Sequence, residues 1–252
     1  MDTLELAQST ADPLWRVGMS FYFDPQTRDR GRALGLNPFE YYGLGRGGTL
    51  GNVDTGVVQD AFTFWHPRNI ERIWTAPAAR ADPVAIAADY LDAAYDFAER
   101  TFGAVDVDVL AAFSDAVARV AHGVPSGTHL LFDGYMGYAT PTDPVRSSYL
   151  GAILMRELRG GAHIVAVREA GLSALEANYV DDPGLFAMHG YLEDEVPVVT
   201  PELVERKRRA DLATSVTMAG FFEVLSDDER DRFRDGALCM DEALTTPVPV
   251  SS

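Results

Sequence analysis

The apolar residues follow a helical period over most of the chain. In 82–103 apolar side chains recur three and four positions apart, and the same spacing returns in 106–123 and 144–161. Each of these stretches opens with an Asp or Pro suited to a helix start and reaches a glycine that can end it. No stretch alternates with a period of two, and only the short "VPVV" at 196–199 suggests a strand. We therefore predict a mainly α fold.

Two glycine-rich stretches, 41–52 and 123–144, interrupt the helical pattern. The second is the better candidate for a boundary. We predict a two-lobed helical protein, with an N-terminal helical lobe at 1–123 and a C-terminal helical lobe at 124–252. A helix-turn-helix-like segment is expected at 162–180 of the second lobe.

Composition and charge narrow the class of protein. The 252 residues are 47% hydrophobic, and 38 acidic against 21 basic side chains give a net charge of -17. An acidic surface repels nucleic acid and anionic membranes, so DNA and membrane are disfavoured as partners. The single cysteine, Cys239, excludes an internal disulfide. With no signal peptide and no long apolar run, we expect a soluble cytoplasmic protein. The sequence does not indicate its oligomeric state.

An aromatic run meets a proline in "FTFWHPRNIERIW", 62–74. Pro67 disfavours the α conformation for His66 and so predicts a helix break there. In one interpretation Phe62, Trp65 and His66 line a pocket, with His66 as general acid or base. In the other they form an aromatic core cluster, and a backbone carbonyl satisfies His66.

The first glycine-rich stretch, "YYGLGRGGTLGN", surrounds Arg46. It lacks the ending of a P-loop, and no strand precedes it, so a dinucleotide site is not indicated. One interpretation is a loop in which Arg46 holds a carboxylate or phosphate of a ligand. The other is a tight turn where helices pack closely and Arg46 pairs with an acid.

The segment 162–180 has the order helix, turn, capped helix. We expect one helix to end at Gly160–Gly161, a short helix over 162–170, a turn at Gly171, and a second helix capped by Ser173. The would-be recognition helix, "SALEANYV", contains no Arg or Lys, although base readout commonly relies on arginine. His163 is either a structural cap or a pocket residue.

Basic and metal-binding patterns are sparse. "ERKRRAD", 205–211, is the one basic cluster, either a solvated face pairing with Glu202 and Asp211 or a contact for phosphate. The five histidines show no metal-ligand spacing, so no metal site is predicted, and no cofactor is identified.

The order of these motifs resembles an actinobacterial helix-turn-helix-related family named after SalK. Its members typically read Y-F-x-P-E, G-R-x-x-P-L-G, an aromatic helix ending in H-P or N-P, and R-G-D-x-H-x-x-x-L-x-x-x-G-L. The matching residues are Tyr22, Phe23, Pro25, Gly45, Arg46, Leu50, Gly51, Phe62, Phe64, His66, Pro67, Arg159, Gly160, His163, Gly171 and Leu172. The resemblance covers about residues 14–180 and implies a regulator.

This chain departs from that family pattern in three places. Gly18 stands where members often have a histidine, Gly161 replaces the acid of R-G-D, and the family's winged-helix-like ending is not recognisable after Tyr179. These losses argue against a working DNA-binding wing.

Three hypotheses follow. The first is a regulator that binds a small molecule in an interlobe pocket and retains a degenerate helix-turn-helix; Arg46, Tyr22, Phe62, Trp65 and His163 are its expected ligand-binding residues. The second is a biosynthetic enzyme with His66 as general acid or base and Arg46 as anion anchor. The third is a partner-binding module that uses exposed aromatics of 132–140.

Overall fold

The computed structural model describes residues 1–245. Within that range the chain is helical and contains no β-strand, which confirms the predicted mainly α fold. The α-helices are α1 (Thr3–Ser9), α2 (Ala11–Met19), α3 (Pro25–Ala33), α4 (Pro38–Gly47), α5 (Thr55–Ala61), α6 (Pro67–Ile70), α7 (Ala76–Ala78), α8 (Pro83–Phe102), α9 (Val107–Gly123), α10 (Leu130–Met136), α11 (Pro144–Glu169), α12 (Ala174–Asp181), α13 (Pro183–Met188), α14 (Pro201–Phe222) and α15 (Asp227–Thr245). Short 3₁₀ turns (Ser20–Phe23, Gly48–Leu50, Glu193–Glu195) and a π turn (Glu71–Thr75) lie between them.

Aspartate side chains begin the long helices, as the sequence indicates. Asp82, Asp106 and Asp143 each accept a hydrogen bond from a backbone N–H in the first turn of α8, α9 and α11. These bonds satisfy donors that have no partner inside the helix. The starts of these three helices were therefore readable from local sequence.

Helix α11 is the central element. It packs against α2, α8, α9, α10 and α14, and its side chains are buried on several sides, including Tyr149, Ile153 and Leu158. Residues 155–168 of this helix supply much of the lining of the cavity described below.

The hydrophobic core draws on the whole described chain. The main cluster runs from Leu6 to Met240 and includes residues of both predicted ranges, 1–123 and 124–252. A smaller cluster joins the C-terminal end of α11 to α12 and α14 through Val167, Leu172 and Leu203. The division at residue 123 remains a prediction.

The glycine-rich stretch 41–52 is not a loop over most of its length. Helix α4 runs through it to Gly47, and a 3₁₀ turn follows. A Cβ added at Gly45 would stand 2.2 Å from the Tyr90 ring, and one at Gly43 would stand 2.2 Å from the carbonyl oxygen of Ile73. The glycines therefore allow α4 to approach α8 and the π turn closely, so the close helix packing was right and the loop was wrong.

Three further expectations need correction. Helix α11 continues through Gly160–Gly161 to Glu169, so no separate helix begins at residue 162. Residues 196–199 form no strand. In 132–140 the rings of Phe132 and Tyr135 are buried in the core rather than exposed, which removes the basis of the partner-binding hypothesis. No described helix is both long and apolar enough to cross a membrane.

Candidate functional site

A cavity of about 810 Å³ lies beside α11, with walls from α2, α4, the 62–65 turn, α12, α13 and α14. It is lined by residues of both predicted ranges. All five expected ligand-binding residues, Tyr22, Arg46, Phe62, Trp65 and His163, are among the lining residues. Volumes of about 300–1,000 Å³ are usual for small-molecule sites.

The turn before Pro67 forms an aromatic wall. Helix α5 ends at Ala61, and the Gln59 amide donates a hydrogen bond of 2.9 Å to the Trp65 carbonyl, which fixes the turn. The Trp65 ring stacks on Tyr42, with 5.4 Å between centroids, and meets the His189 ring at 4.7 Å. The helix break and the aromatic cluster are both present, and Phe62 and Trp65 belong to the core cluster as well as to the cavity wall.

His66 is not among the residues that line the cavity. It is the N-cap of α6: its Nδ1 accepts a hydrogen bond of 3.1 Å from the Arg68 backbone N–H. Its Nε2 lies 3.4 Å from a carboxylate oxygen of Glu195, and its ring meets Tyr191. A role as general acid or base stays a prediction, and the structure does not place His66 with the other five residues.

Arg46 is held by a carboxylate of the protein. Its Nη2 lies 2.7 Å from Oε2 and 2.9 Å from Oε1 of Glu157, and its Nε donates to Oε1 at 3.1 Å. Its Nη1 donates to Tyr42, and its guanidinium lies 4.9 Å from the Phe62 ring centroid. Arg46 therefore lines the cavity but has its charge matched internally, as the second interpretation expected.

Glu157 stays ionised although it is buried. Burial raises its pKa, but the guanidinium groups of Arg46 and Arg156 outweigh burial and hold the pKa below its usual value. Arg156 Nη1 donates to Glu157 at 2.7 Å and to the Tyr22 hydroxyl at 3.2 Å. Burial raises the pKa of Tyr22 to about 12, so its hydroxyl is neutral at pH 7. Sequence reasoning missed Glu157, because 111 positions separate it from Arg46.

Arg159, unlike Arg46 and Arg156, does not pair with Glu157. No acidic side chain among the described residues lies within ion-pair distance of it, and its Nη2 makes one long bond of 3.4 Å to Ser215. Its Nη1 is buried without a hydrogen-bond partner in the described chain. Arg156, Arg159 and His163 recur at three and four positions on one face of α11, which is the signal that could have grouped them.

Two half-buried histidines add neutral imidazole groups to the lining. The Thr214 hydroxyl donates to the Ala210 carbonyl at 2.8 Å, so Nδ1 of His163 carries the hydrogen and donates to that hydroxyl oxygen at 2.9 Å. Its Nε2 is then an acceptor. Burial, followed by the Lys207 charge, lowers the pKa of His163 to about 4. The structure supports the pocket interpretation of His163 by placing it on the cavity.

His189, which the sequence did not single out, has the opposite arrangement. The Asn178 amide donates to its Nδ1 at 2.8 Å, so Nε2 carries the hydrogen in the neutral ring. Burial lowers the pKa of His189 to about 4, and the Arg46 charge adds to the shift. The cavity lining thus combines an acceptor imidazole with a donor imidazole. No three His, Cys, Asp or Glu side chains in residues 1–245 are grouped so as to hold a metal ion.

The end of α11, the turn and α12 form a helix-turn-helix unit. Gly171 has a φ of 70°, in the left-handed region that glycine adopts readily, and the Ser173 hydroxyl accepts from the Glu176 N–H in a capping box. The profile of a family described as "Helix-turn-helix family" matches residues 7–194. The chain belongs to this helix-turn-helix family. No curated protein and no solved structure matches it.

In this helix-turn-helix family member the second helix is turned towards the cavity. Asn178 of α12 is buried, and its amide donates to the Phe64 carbonyl at 2.8 Å as well as to His189. Asn178 and Asp181 both line the cavity. The face of α12 that carries Asn178 and Asp181 therefore forms part of the cavity wall.

The basic cluster 205–211 is tied into the same region. Lys207 is buried, and its Nζ lies 2.5 Å from Asp181 and 2.6 Å from Asp211. Arg206 pairs with Glu176, and Arg208 pairs with Glu205. Pairing with Asp211 was expected, but the burial of Lys207 was not. The Lys207–Asp181 and Arg206–Glu176 pairs link α14 to α12, so Lys207 is not part of a free basic patch.

Proposed function

We propose that this helix-turn-helix family protein binds a small organic molecule in the cavity and acts as a ligand-responsive regulator of the SalK-like, actinobacterial type. The observation that carries the proposal is the cavity of about 810 Å³ itself, with aromatic walls and a few converging polar groups. We also propose that the protein is cytoplasmic, because a chain with a single cysteine suits that reducing compartment.

The position of the helix-turn-helix unit supports a regulatory role. Asn178 and Asp181 of α12 and His163 of α11 all line the cavity, so a ligand there touches both helices of the unit. A ligand shifts an equilibrium between two conformations only if it contacts them differently. Direct contact with α11 and α12 gives the ligand that opportunity.

DNA binding is proposed to be degenerate. Helix α12 contains no Arg or Lys, and Asn178, its best base-reading side chain, is engaged inside the protein. The net charge of -17 opposes approach to duplex DNA. The regulatory output is therefore better assigned to another macromolecule, or to a DNA contact of low affinity.

The enzyme alternative gains no support from the geometry. Its proposed general acid or base, His66, caps α6 away from the cavity lining, and its proposed anion anchor, Arg46, is occupied by Glu157. A catalytic reading would need other residues in those roles.

The proposal is tested by titration with N-phenyl-1-naphthylamine (NPN), a neutral aromatic probe whose fluorescence rises in apolar surroundings. We expect saturable binding of one NPN molecule per chain, with energy transfer from Trp15 and Trp65, which line the cavity. A linear, unsaturated fluorescence rise would contradict a ligand cavity.

A further inference from the structure

The cavity wall along α11 carries an excess of positive charge. Arg46 is buried, Arg156 and Arg159 are half-buried, and Glu157 is the one buried acid among the described lining residues. The difference is two positive charges. The other acids of the lining are Asp12 and Asp60, which are exposed to solvent where their charges are screened, and Asp181, which pairs with Lys207.

This excess contrasts with the rest of the protein. The chain as a whole has 38 acidic and 21 basic side chains, so a net positive interior site is not a consequence of composition. Burying an unpaired guanidinium costs free energy unless an anion and hydrogen-bond acceptors compensate it. A partly buried guanidinium without a partner therefore indicates that this site binds an anion.

Arg159 is the guanidinium that is available. Arg46 forms a two-pronged ion pair with Glu157, and Arg156 shares the same carboxylate. Arg159 has a buried Nη1 without a partner and only the 3.4 Å contact to Ser215, as described above. Burial lowers its pKa from the usual value, but a guanidinium stays protonated in proteins.

Arg156 lies one helical turn from Arg159 and contributes a second donor. Its Nε is also buried without a hydrogen-bond partner in the described chain. Two guanidinium groups three positions apart on α11 share one face of the helix. An oxyanion between them would accept charge-assisted hydrogen bonds, which are stronger than neutral ones.

The remainder of the cavity suits an apolar body. Its lining includes Phe62, Phe64 and Trp65 together with the exposed side chains of Trp15 and Phe39. Exposed large apolar side chains that line one cavity are typical of a binding site. The geometry points to an amphipathic organic acid as the ligand: its oxyanion binds Arg159 with help from Arg156, and its apolar or aromatic body lies against the 62–65 wall.

This inference rests on the proposed function, because it assigns a chemical class to the ligand of the same cavity. The test compares NPN with 8-anilinonaphthalene-1-sulfonate (ANS), which adds a sulfonate to the same aromatic body. We expect ANS to bind the wild-type protein at least about tenfold more tightly than NPN, the gain from one charged hydrogen-bonding group.

Two variants test whether Arg159 is the source of the tighter binding of ANS relative to NPN. Arg159→Gln should remove the advantage of ANS while leaving NPN affinity within about twofold, because only the charged contact is lost. Arg146→Gln, the matched control on α11, changes an exposed arginine that pairs with Glu99 outside the cavity lining, and should leave both affinities unchanged. Circular dichroism melting confirms that each variant is folded.

The outcomes separate the two proposals. Equal binding of ANS and NPN to the wild-type protein, or an ANS advantage that survives in Arg159→Gln, overturns the anion inference and leaves the small-molecule cavity in place. Absence of saturable binding for both probes overturns the proposed function together with this inference. Competition with decanoate, decyl phosphate and decanol then identifies the head group: displacement by decanol as strong as by both anions also overturns the inference.

Discussion

Arg46 and Glu157 form a buried two-pronged ion pair, with Nη2 of the arginine 2.7 and 2.9 Å from the two carboxylate oxygens. The pair joins α4 to the central helix α11 at the wall of the cavity. It explains why the arginine of the glycine-rich stretch is not the free anion anchor that one sequence interpretation expected. The role of binding an anion, as proposed above, therefore falls to Arg159 and Arg156 of α11.

Glu157→Gln should destabilise the protein strongly. The substitution removes the buried counter-charge of Arg46 and Arg156, and breaking a buried pair in this way costs about 3–5 kcal/mol. Denaturant unfolding measures the loss. As a control, Glu205→Gln removes a solvent-exposed partner of Arg208 and should change the unfolding free energy far less, because water screens an exposed ion pair. Similar decreases in unfolding free energy in the two variants would show that Glu157 does not form a buried ion pair with Arg46 and Arg156 in solution.

Adjacent glycines of α11 should respond in opposite ways to alanine. A Cβ at Gly161 would stand 2.6 Å from Nδ1 of His129, so Gly161→Ala should cost about 1–3 kcal/mol. A Cβ at Gly160 meets no atom within 4 Å, and Gly160→Ala should stabilise the helix by about 0.5–1 kcal/mol. Thermal unfolding of the two variants gives the comparison. The same sign for both would contradict the packing of His129 over Gly161.

The unfolding free energy should fall as the pH falls from about 6.5 to about 4. The pKa of His189 is lowered from 6.5 to about 4 in the folded protein, so the unfolded chain binds more protons in that window. The contribution of this residue should be about 2–3 kcal/mol over the window. His189→Gln, which keeps an acceptor for the Asn178 amide, should flatten the slope. An unchanged slope in the variant would exclude a buried neutral ring.

Duplex DNA should bind weakly at physiological ionic strength. Helix α12 offers no basic side chain, and Asn178 is engaged with Phe64 and His189. We expect no electrophoretic shift of promoter fragments at about 0.15 M salt, where long-range attraction is largely screened. Tight binding that weakens steeply with added salt, and that survives Asn178→Ala, would show a DNA surface elsewhere on the protein.

The sequence predicted the parts of the fold that depend on local order. Apolar spacing and aspartate caps gave α8 and α9, and Gly171 and Ser173 gave the turn before α12. The error at 41–52 has a physical reason. Glycine has a low helix propensity, yet at Gly45 the close approach of Tyr90 makes it the residue that fits in a helix. Tertiary packing overrode local preference there.

The candidate site was predictable by residue type but not by pairing. Aromatic residues before Pro67 and the arginine of "GLGRGG" were recognisable from the chain alone, and they line the cavity. Their partners were not, because Glu157 and His189 come from distant segments that only folding brings close. His66 was singled out for its place before Pro67, yet that place makes it a cap for α6.

The central claim, that the cavity binds a small molecule, is tested most directly by filling it. Gly160 lines the cavity with open space at its Cβ position, so Gly160→Phe places a ring in the binding volume. Gly220→Phe is the control, on α14 at an exposed glycine outside the lining. We predict that NPN affinity falls at least about tenfold in Gly160→Phe and is unchanged in Gly220→Phe. Equal NPN affinity in the wild-type protein and Gly160→Phe would contradict the account.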